Sequence, residues 1–227
     1  MSLRALTVLM MVVTFAVLAA GQERFVKPVD EASKDASFLA FRTKLIAAAE
    51  RKDARFIRSI LDPDIMNSFG GNGGIKEFEE AWGIDEGNSR FWSEFLPVIK
   101  HGGAFSPPTE ASGRMFIAPY SFSSWPEELD AFEHHLIFGT DVNLREKPSM
   151  DAKVLEKLSY NVVKITGAEP AASENEPSKE PDWYRIETLG GKKGWVKAEF
   201  VRSPIDYRAG FEKKKGVWKM TFFIAGD

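Results

Sequence analysis

The 227-residue sequence predicts an α+β protein: an N-terminal helical, cone-like α+β unit completed by a C-terminal β-hairpin, with a small all-β barrel inserted between them. Three observations predict it. Apolar residues recur at helical spacing through the first half of the chain, and short β segments separated by turns follow Gly139. The last strand pair is too apolar to stand without a partner surface. The expected divisions are 1–21 (export signal), 22–36 (polar leader), 37–130 plus 205–227 (first unit) and 131–204 (barrel).

Arg4, the apolar run 6–18 and the small residues Ala19, Ala20 and Gly21 have the form of a secretory signal peptide cleaved near residues 20–21. The run is shorter than the roughly 20 residues a spanning helix needs, so no membrane insertion is expected after cleavage. The expected location is periplasmic or secreted. With no cysteine, the chain forms no disulfide and carries no lipid on a thiol. Its stability must come from packing, and 44% hydrophobic content is enough for one large core or two modest ones; two are expected. A net charge of -3 gives no global pull toward nucleic acid.

Residues 22–36 read as a leader with little to bury. Phe38, Phe41, Leu45 and Ala48 mark a first helix, and Asp53 caps a second that carries Phe56, Ile57 and Ile60 and breaks at Asp62-Pro63-Asp64. A brief strand then runs into the glycines at 70–74. Ile75, Phe78 and Trp82 form a third helix, and Ser89 caps a fourth in which Pro97 should cause a kink or an early stop. Residues 114–122 read as a strand interrupted by Pro119, and 130–139 as another strand. Residues 167–182, rich in proline, glutamate and serine, read as a mobile surface loop.

In the barrel region, Asn143-Leu144-Arg145 leads to Pro148-Ser149, and an aromatic strand at Trp183 turns through Gly190, Gly191 and Gly194 into Trp195-Val196. These segments, in this order, resemble the bacterial SH3 domain family over residues 133–204. Leu144, Val154, Leu158, Val163, Ile186 and Val196 supply an inward set, and Trp195 has the size to fill the centre. Ser159 and Tyr160 stand where the family commonly has a glycine. The resemblance implies a module for peptide or peptidoglycan-derived ligands, with Tyr160, Trp183, Tyr184 and Tyr207 as the exposed aromatic candidates; packing inside the barrel is the alternative for each.

The first unit, with helices and then strands ending in Gly216-Val217-Trp218-Lys219-Met220, resembles the nuclear transport factor 2-like superfamily. The alternative is a helical domain capped by a hairpin. A cone-shaped unit can hold a pocket in which a carboxylate moves a proton, and Asp64 is the outside catalytic candidate; otherwise Asp62 and Asp64 are turn formers. His134 and His135 are neighbours on a strand and point to opposite faces, so they do not share a metal. His101 fits the favourable field of a helix C-terminus. The glycines at 70–74 lack the lysine and hydroxyl of a phosphate loop, and Lys192, Lys193 and Lys197 read as a solvated face.

Thiol nucleophiles are excluded, and there is no zinc signature or recognisable serine triad. The expected function is therefore a non-catalytic, exported binding protein of the bacterial cell envelope with no cofactor and no metal. The expected partner is a peptide or cell-wall ligand, not nucleic acid, and the oligomeric state is left open. The alternatives are a small-ligand carrier or enzyme with its site in the cone, and a structural adaptor with no small ligand.

Overall fold

A computed structural model describes residues 21–109, 113–170 and 181–226. Residues 1–20, which hold the expected export signal, and the centre of the expected loop, 171–180, lie outside the described residues.

Helix α1 (Ala36–Glu50) starts where the Asp35 side chain accepts from the backbone N–H groups of Ser37 and Phe38, and it buries Phe38, Leu45, Ala48 and Ala49. Asp53 caps α2 (Ala54–Ile60) in the same way through Phe56 N–H. The chain passes directly into strand β1 (Leu61–Met66), where Pro63 is tolerated because β1 is an edge strand. Helices α3 (Ile75–Trp82) and α4 (Arg90–Lys100) follow. Pro97 does not shorten α4 as expected, since Val98 and Ile99 beyond it are both buried and hold the last turn in place. Strands β2 (Ala104–Phe105) and β3 (Met115–Ala118) come next; β3 stops before Pro119, and a short helix α5 (Tyr120–Ser123) replaces the expected continuation.

The barrel strands are β4 (His135–Ile137), β5 (Val142–Arg145), β6 (Val154–Leu158), β7 (Val162–Glu169), β8 (Trp183–Thr188), β9 (Lys193–Lys197) and β10 (Val201–Arg202). The chain ends with the hairpin β11 (Arg208–Lys214) and β12 (Val217–Ile224). Gly167, Ala168 and Glu169, expected in the loop, instead pair with Arg185, Tyr184 and Trp183.

Two sheets result. One runs β1-β12-β11-β3-β2, so the terminal hairpin lies between strands made before the barrel; the other runs β10-β4-β7-β8-β9-β5-β6. The first carries the larger core. Phe38 lies 4.2 Å from Phe116 and 4.8 Å from Trp218, ring centre to ring centre, while Phe223 of β12 packs against Trp82, Phe91 and Phe95. The second is filled by Ile137, Val142, Leu144, Leu158, Val163, Ile186 and Val196. Val154, expected inside, is 40% exposed because it starts the edge strand β6.

Residues 22–36 are not the loose leader the composition suggests. Val26 and Ala32 are buried. Val26 N–H donates to Tyr160 O and Val162 N–H to Arg24 O, extending the barrel, while Gly103 N–H donates to Val29 O and Glu31 N–H to Gly103 O. Asp30 receives Arg42 Nη1 at 2.8 and 2.6 Å. The segment is a strap joined to both units by main-chain groups, which leave no trace in composition, and by the side chains of Glu23 and Asp30.

Candidate functional site

Alternation along the barrel strands decides which side chains are available. Tyr184 and Val196 are cross-strand partners, as are Ile186 and Gly194, and these pack toward the barrel core. Trp183 with Lys197, Arg185 with Trp195, and Glu187 with Lys193 share the other face. Trp195, expected at the barrel centre, is therefore half-buried on the outside. The glycines between β8 and β9 have separate tasks. Gly191 has φ +87 for the turn, a Cβ on Gly194 would stand 2.8 Å from Leu144, and a Cβ on Gly190 would stand 2.4 Å from the Glu23 carboxylate.

At one end of the outer face Trp183 lines a groove of about 390 Å³ with Asp141, Arg145, Met150, Lys197 and Glu199. Lys197 Nζ stands 5.7 Å from the indole centre, a cation–π distance. Asp141, Lys197 and Glu199 form no ion pair with another described residue, so both signs of charge are free at the rim. Arg145 is buried and donates Nη1 to Ala152 O at 2.8 Å. A second hollow of about 320 Å³ continues past Lys197 and Glu199 to Asp182. The groove offers an aromatic floor, a thioether wall from Met150 and opposed charges, a set suited to a ligand carrying both ammonium and carboxylate groups.

The four aromatic candidates do not form one exposed set. Trp183 is in the groove, but it is 7% exposed and forms its floor. Tyr184 packs on the barrel core. Tyr160 is half-buried, next to the strap. Tyr207 belongs to the first unit, stacked on Phe223 at 5.0 Å with its hydroxyl accepting from Arg90 Nη2 at 2.5 Å. The exposed apolar side chains of the groove are Met150, at 61%, and Phe200, at 37%. Both lie outside the strands on which the candidate aromatic rings were expected, Met150 in the turn after β5 and Phe200 at the end of a short 3-10 helix, Ala198–Phe200, after β9.

Asp64 is exposed on β1, and the interior facing its sheet is filled by phenylalanine and tryptophan rings, so no cavity surrounds its carboxylate. Asp62 is buried and bridges β1 to β11 through Lys214 Nζ at 2.8 Å, which raises the Lys214 pKa. The backbone amides of the 70–74 turn are occupied from within, since Glu77 accepts from Asn72 N–H and Gly73 N–H. Lys192 pairs with Glu156 and Lys193 with Glu187. No cluster of three metal-ligating side chains occurs among the described residues. His134 Nδ1 bonds Asp130 O. His101 caps α4 with Nδ1 on Pro97 O, but the helix field does not dominate. The side chain stays in contact with solvent, but the protein packed around its ring partly desolvates it and lowers its pKa, helped by Arg202 and Lys100.

The family model of the bacterial SH3 domain matches residues 140–202. This segment is a bacterial SH3 domain. The match opens just before β5 and closes at β10, so the SH3 domain contains the whole groove around Trp183, while β4 joins its sheet from outside the matched segment. Bacterial SH3 domains are binding modules, commonly for peptidoglycan or peptides. Neither the curated proteins nor the solved structures give a match, and the likeness of the first unit to the nuclear transport factor 2-like superfamily gains no support from the comparisons.

Proposed function

We propose that this protein is an exported, non-catalytic binding protein of the bacterial cell envelope, periplasmic or secreted, whose SH3 domain takes a peptide or peptidoglycan-derived ligand in the Trp183 groove. One observation carries the reading: a groove on the SH3 domain in which an indole floor lies beside Lys197 and the same lining carries Asp141 and Glu199. A short peptide satisfies both signs at once, whereas a purely anionic polymer would meet Asp141 and Glu199. The filled interior of the first unit supports a scaffold role for it over a carrier or enzyme role.

The test is sedimentation of the chain with purified cell-wall sacculi, together with calorimetric titration of a stem tetrapeptide. Met150→Ala with Phe200→Ala removes exposed side chains and leaves the core intact, and Lys197→Glu reverses a rim charge. Each should weaken binding at least about tenfold, roughly 1.4 kcal/mol. No retention of the unaltered protein, or retention indifferent to all three changes, overturns the proposal. Export is checked by N-terminal sequencing of the envelope fraction: a start near residue 21 or 22 is expected, and an intact Met1 in the cytoplasm contradicts it.

A further inference from the structure

A separate hollow, of about 390 Å³, lies where the strap, the end of α4, α5 and the barrel meet. Tyr160 lines it with φ +58, a left-handed backbone conformation that a bulky side chain rarely adopts. The conformation is held by Val26 N–H donating to Tyr160 O and by Tyr160 N–H donating to Gly139 O. Glycine would occupy this position without strain; the Tyr160 ring packs partly on the cluster of Val26, Tyr120, Leu136 and Val162 and presents the rest of its surface to the hollow.

Tyr120 and Phe138 stack at 5.4 Å with their planes 8° apart, and the His101 ring meets Phe138 edge-on at 4.4 Å. Tyr120 is 3% exposed, yet its hydroxyl has no hydrogen-bond partner among the described residues, and neither has that of Tyr160. Since Pro97 O only accepts, His101 Nδ1 carries the proton and Nε2 is left as an acceptor. The charged groups at the edge are already engaged, Asp30 by Arg42 and Lys100 by Glu50. Burial keeps the Tyr120 phenol neutral by raising its pKa and favours the neutral form of His101.

Arg202, 5.8 Å from the Phe138 ring centre, does not line the hollow and is held by Asp206 and Tyr207 O, so the lining itself offers a charged ligand no unpaired counter-charge, and a purely apolar ring would leave two phenols and an imidazole unpaired. A pyranose ring fits both constraints: its C–H faces pack on the aromatic walls and its hydroxyls pair with the phenols and His101. We infer that this hollow is a second binding site, for a neutral saccharide, built by Tyr160, Tyr120, Phe138 and His101. It does not rest on the Trp183 groove.

The test is calorimetric titration of the full chain with chitotetraose, cellotetraose and maltotetraose. At least one should bind, and Tyr160→Gly and Tyr120→Phe should each weaken it about tenfold or more, while Met150→Ala in the other groove leaves it unchanged. Tyr160→Gly relieves the backbone but strips a half-buried ring from the cluster of Val26, Tyr120, Leu136 and Val162, so the two effects should nearly cancel and the melting temperature should stay close to that of the unaltered protein. Absence of binding by all three sugars at millimolar concentration overturns the inference, as does binding that survives Tyr160→Gly. A marked fall in melting temperature on Tyr160→Gly also counts against it, because the ring would then serve packing.

Discussion

Glu23→Ala asks whether the strap is part of the barrel or merely lies on it. The Glu23 carboxylate accepts from Thr188 Oγ1 at 2.8 Å and Asn161 Nδ2 at 3.2 Å, and stands 3.6 Å from Lys192 Nζ. Thr188 and Asn161 are 2% and 4% exposed, so water reaches them poorly once the carboxylate is gone. Hydrogen bonds to a charged group contribute about 1.5–3 kcal/mol each. Asn161 keeps its bond from Ser159 N–H and Thr188 its bond from Lys192 N–H, which limits the damage to one donor on each. The Lys192 pair is part-exposed and adds at most about 1 kcal/mol. The expected loss is therefore about 3–7 kcal/mol, or about 6–28 °C in melting temperature at the 2–4 °C per kcal/mol usual for this chain length. Differential scanning calorimetry of the chain without residues 1–20 reads it, and Glu23→Gln, which keeps an acceptor, should recover at least half. Gly190→Ala gives a second handle, because its new Cβ would displace the carboxylate; it should destabilise the protein while Glu23 is present and have much less effect in the Glu23→Ala background. A Glu23→Ala change within about 0.5 kcal/mol of the unaltered protein, or simple additivity of the two substitutions, would refute the reasoning.

Phe223→Ala removes a fully buried ring set among Trp82, Phe91, Phe95 and Tyr207, and should cost about 3–5 kcal/mol in urea unfolding followed at the helical circular-dichroism band. A cost below about 1 kcal/mol would detach the hairpin from the first core. Stability should also fall on mild acidification. Burial lowers the pKa of His101 and His135, so near and below the ordinary imidazole value of 6.5 the unfolded chain binds protons that the folded chain refuses. That contribution is full above the unfolded value and is lost as pH drops below it. Glu31, lowered first by its Lys34 hydrogen bond, and Asp35, lowered first by Ser37, lose theirs only at pH values below the ordinary carboxylate range. Urea midpoints should therefore drop between about pH 7.5 and about pH 5.5, and the drop should shrink in a His101→Asn, His135→Asn variant; a midpoint that rises over this interval contradicts the assignment.

The parts of the fold that were legible from residues share a property: their signal is local. Asp53 and Ser89 announce helix starts because their side chains cap amides within three residues. The Phe38 to Ala48 spacing announces a helix face, and the Asn143-Leu144-Arg145 and Gly194-Trp195-Val196 segments announce the SH3 domain. The return of β11 and β12 was readable from the demand for cover made by Phe211, Trp218, Met220 and Phe223. Reading failed where the answer depended on phase or on main-chain partners. Trp195 and Trp183 are both tryptophans on paired strands, and only the register Trp183↔Lys197 with Arg185↔Trp195 shows which of them floors the groove. The strap looked loose because it is held by backbone N–H and C=O groups, which composition does not register, and by Glu23 and Asp30, whose partners Thr188, Asn161 and Arg42 are distant in sequence.

By itself, then, the order of residues determined the class of fold and the SH3 likeness of the middle segment, since each follows from side-chain type at short spacing, whereas the third buried cluster, Val26, Tyr120, Leu136 and Val162, does not. Only the tertiary structure decided which aromatic rings line hollows and which fill cores, that Tyr160 is held in a left-handed turn beside Tyr120, and that a hollow exists between the units. The physical reason is distance along the chain. Pro28, His101, Tyr120 and Tyr160 become neighbours only because the barrel is inserted beyond α5 and the strap crosses back over it, and no local pattern encodes that meeting.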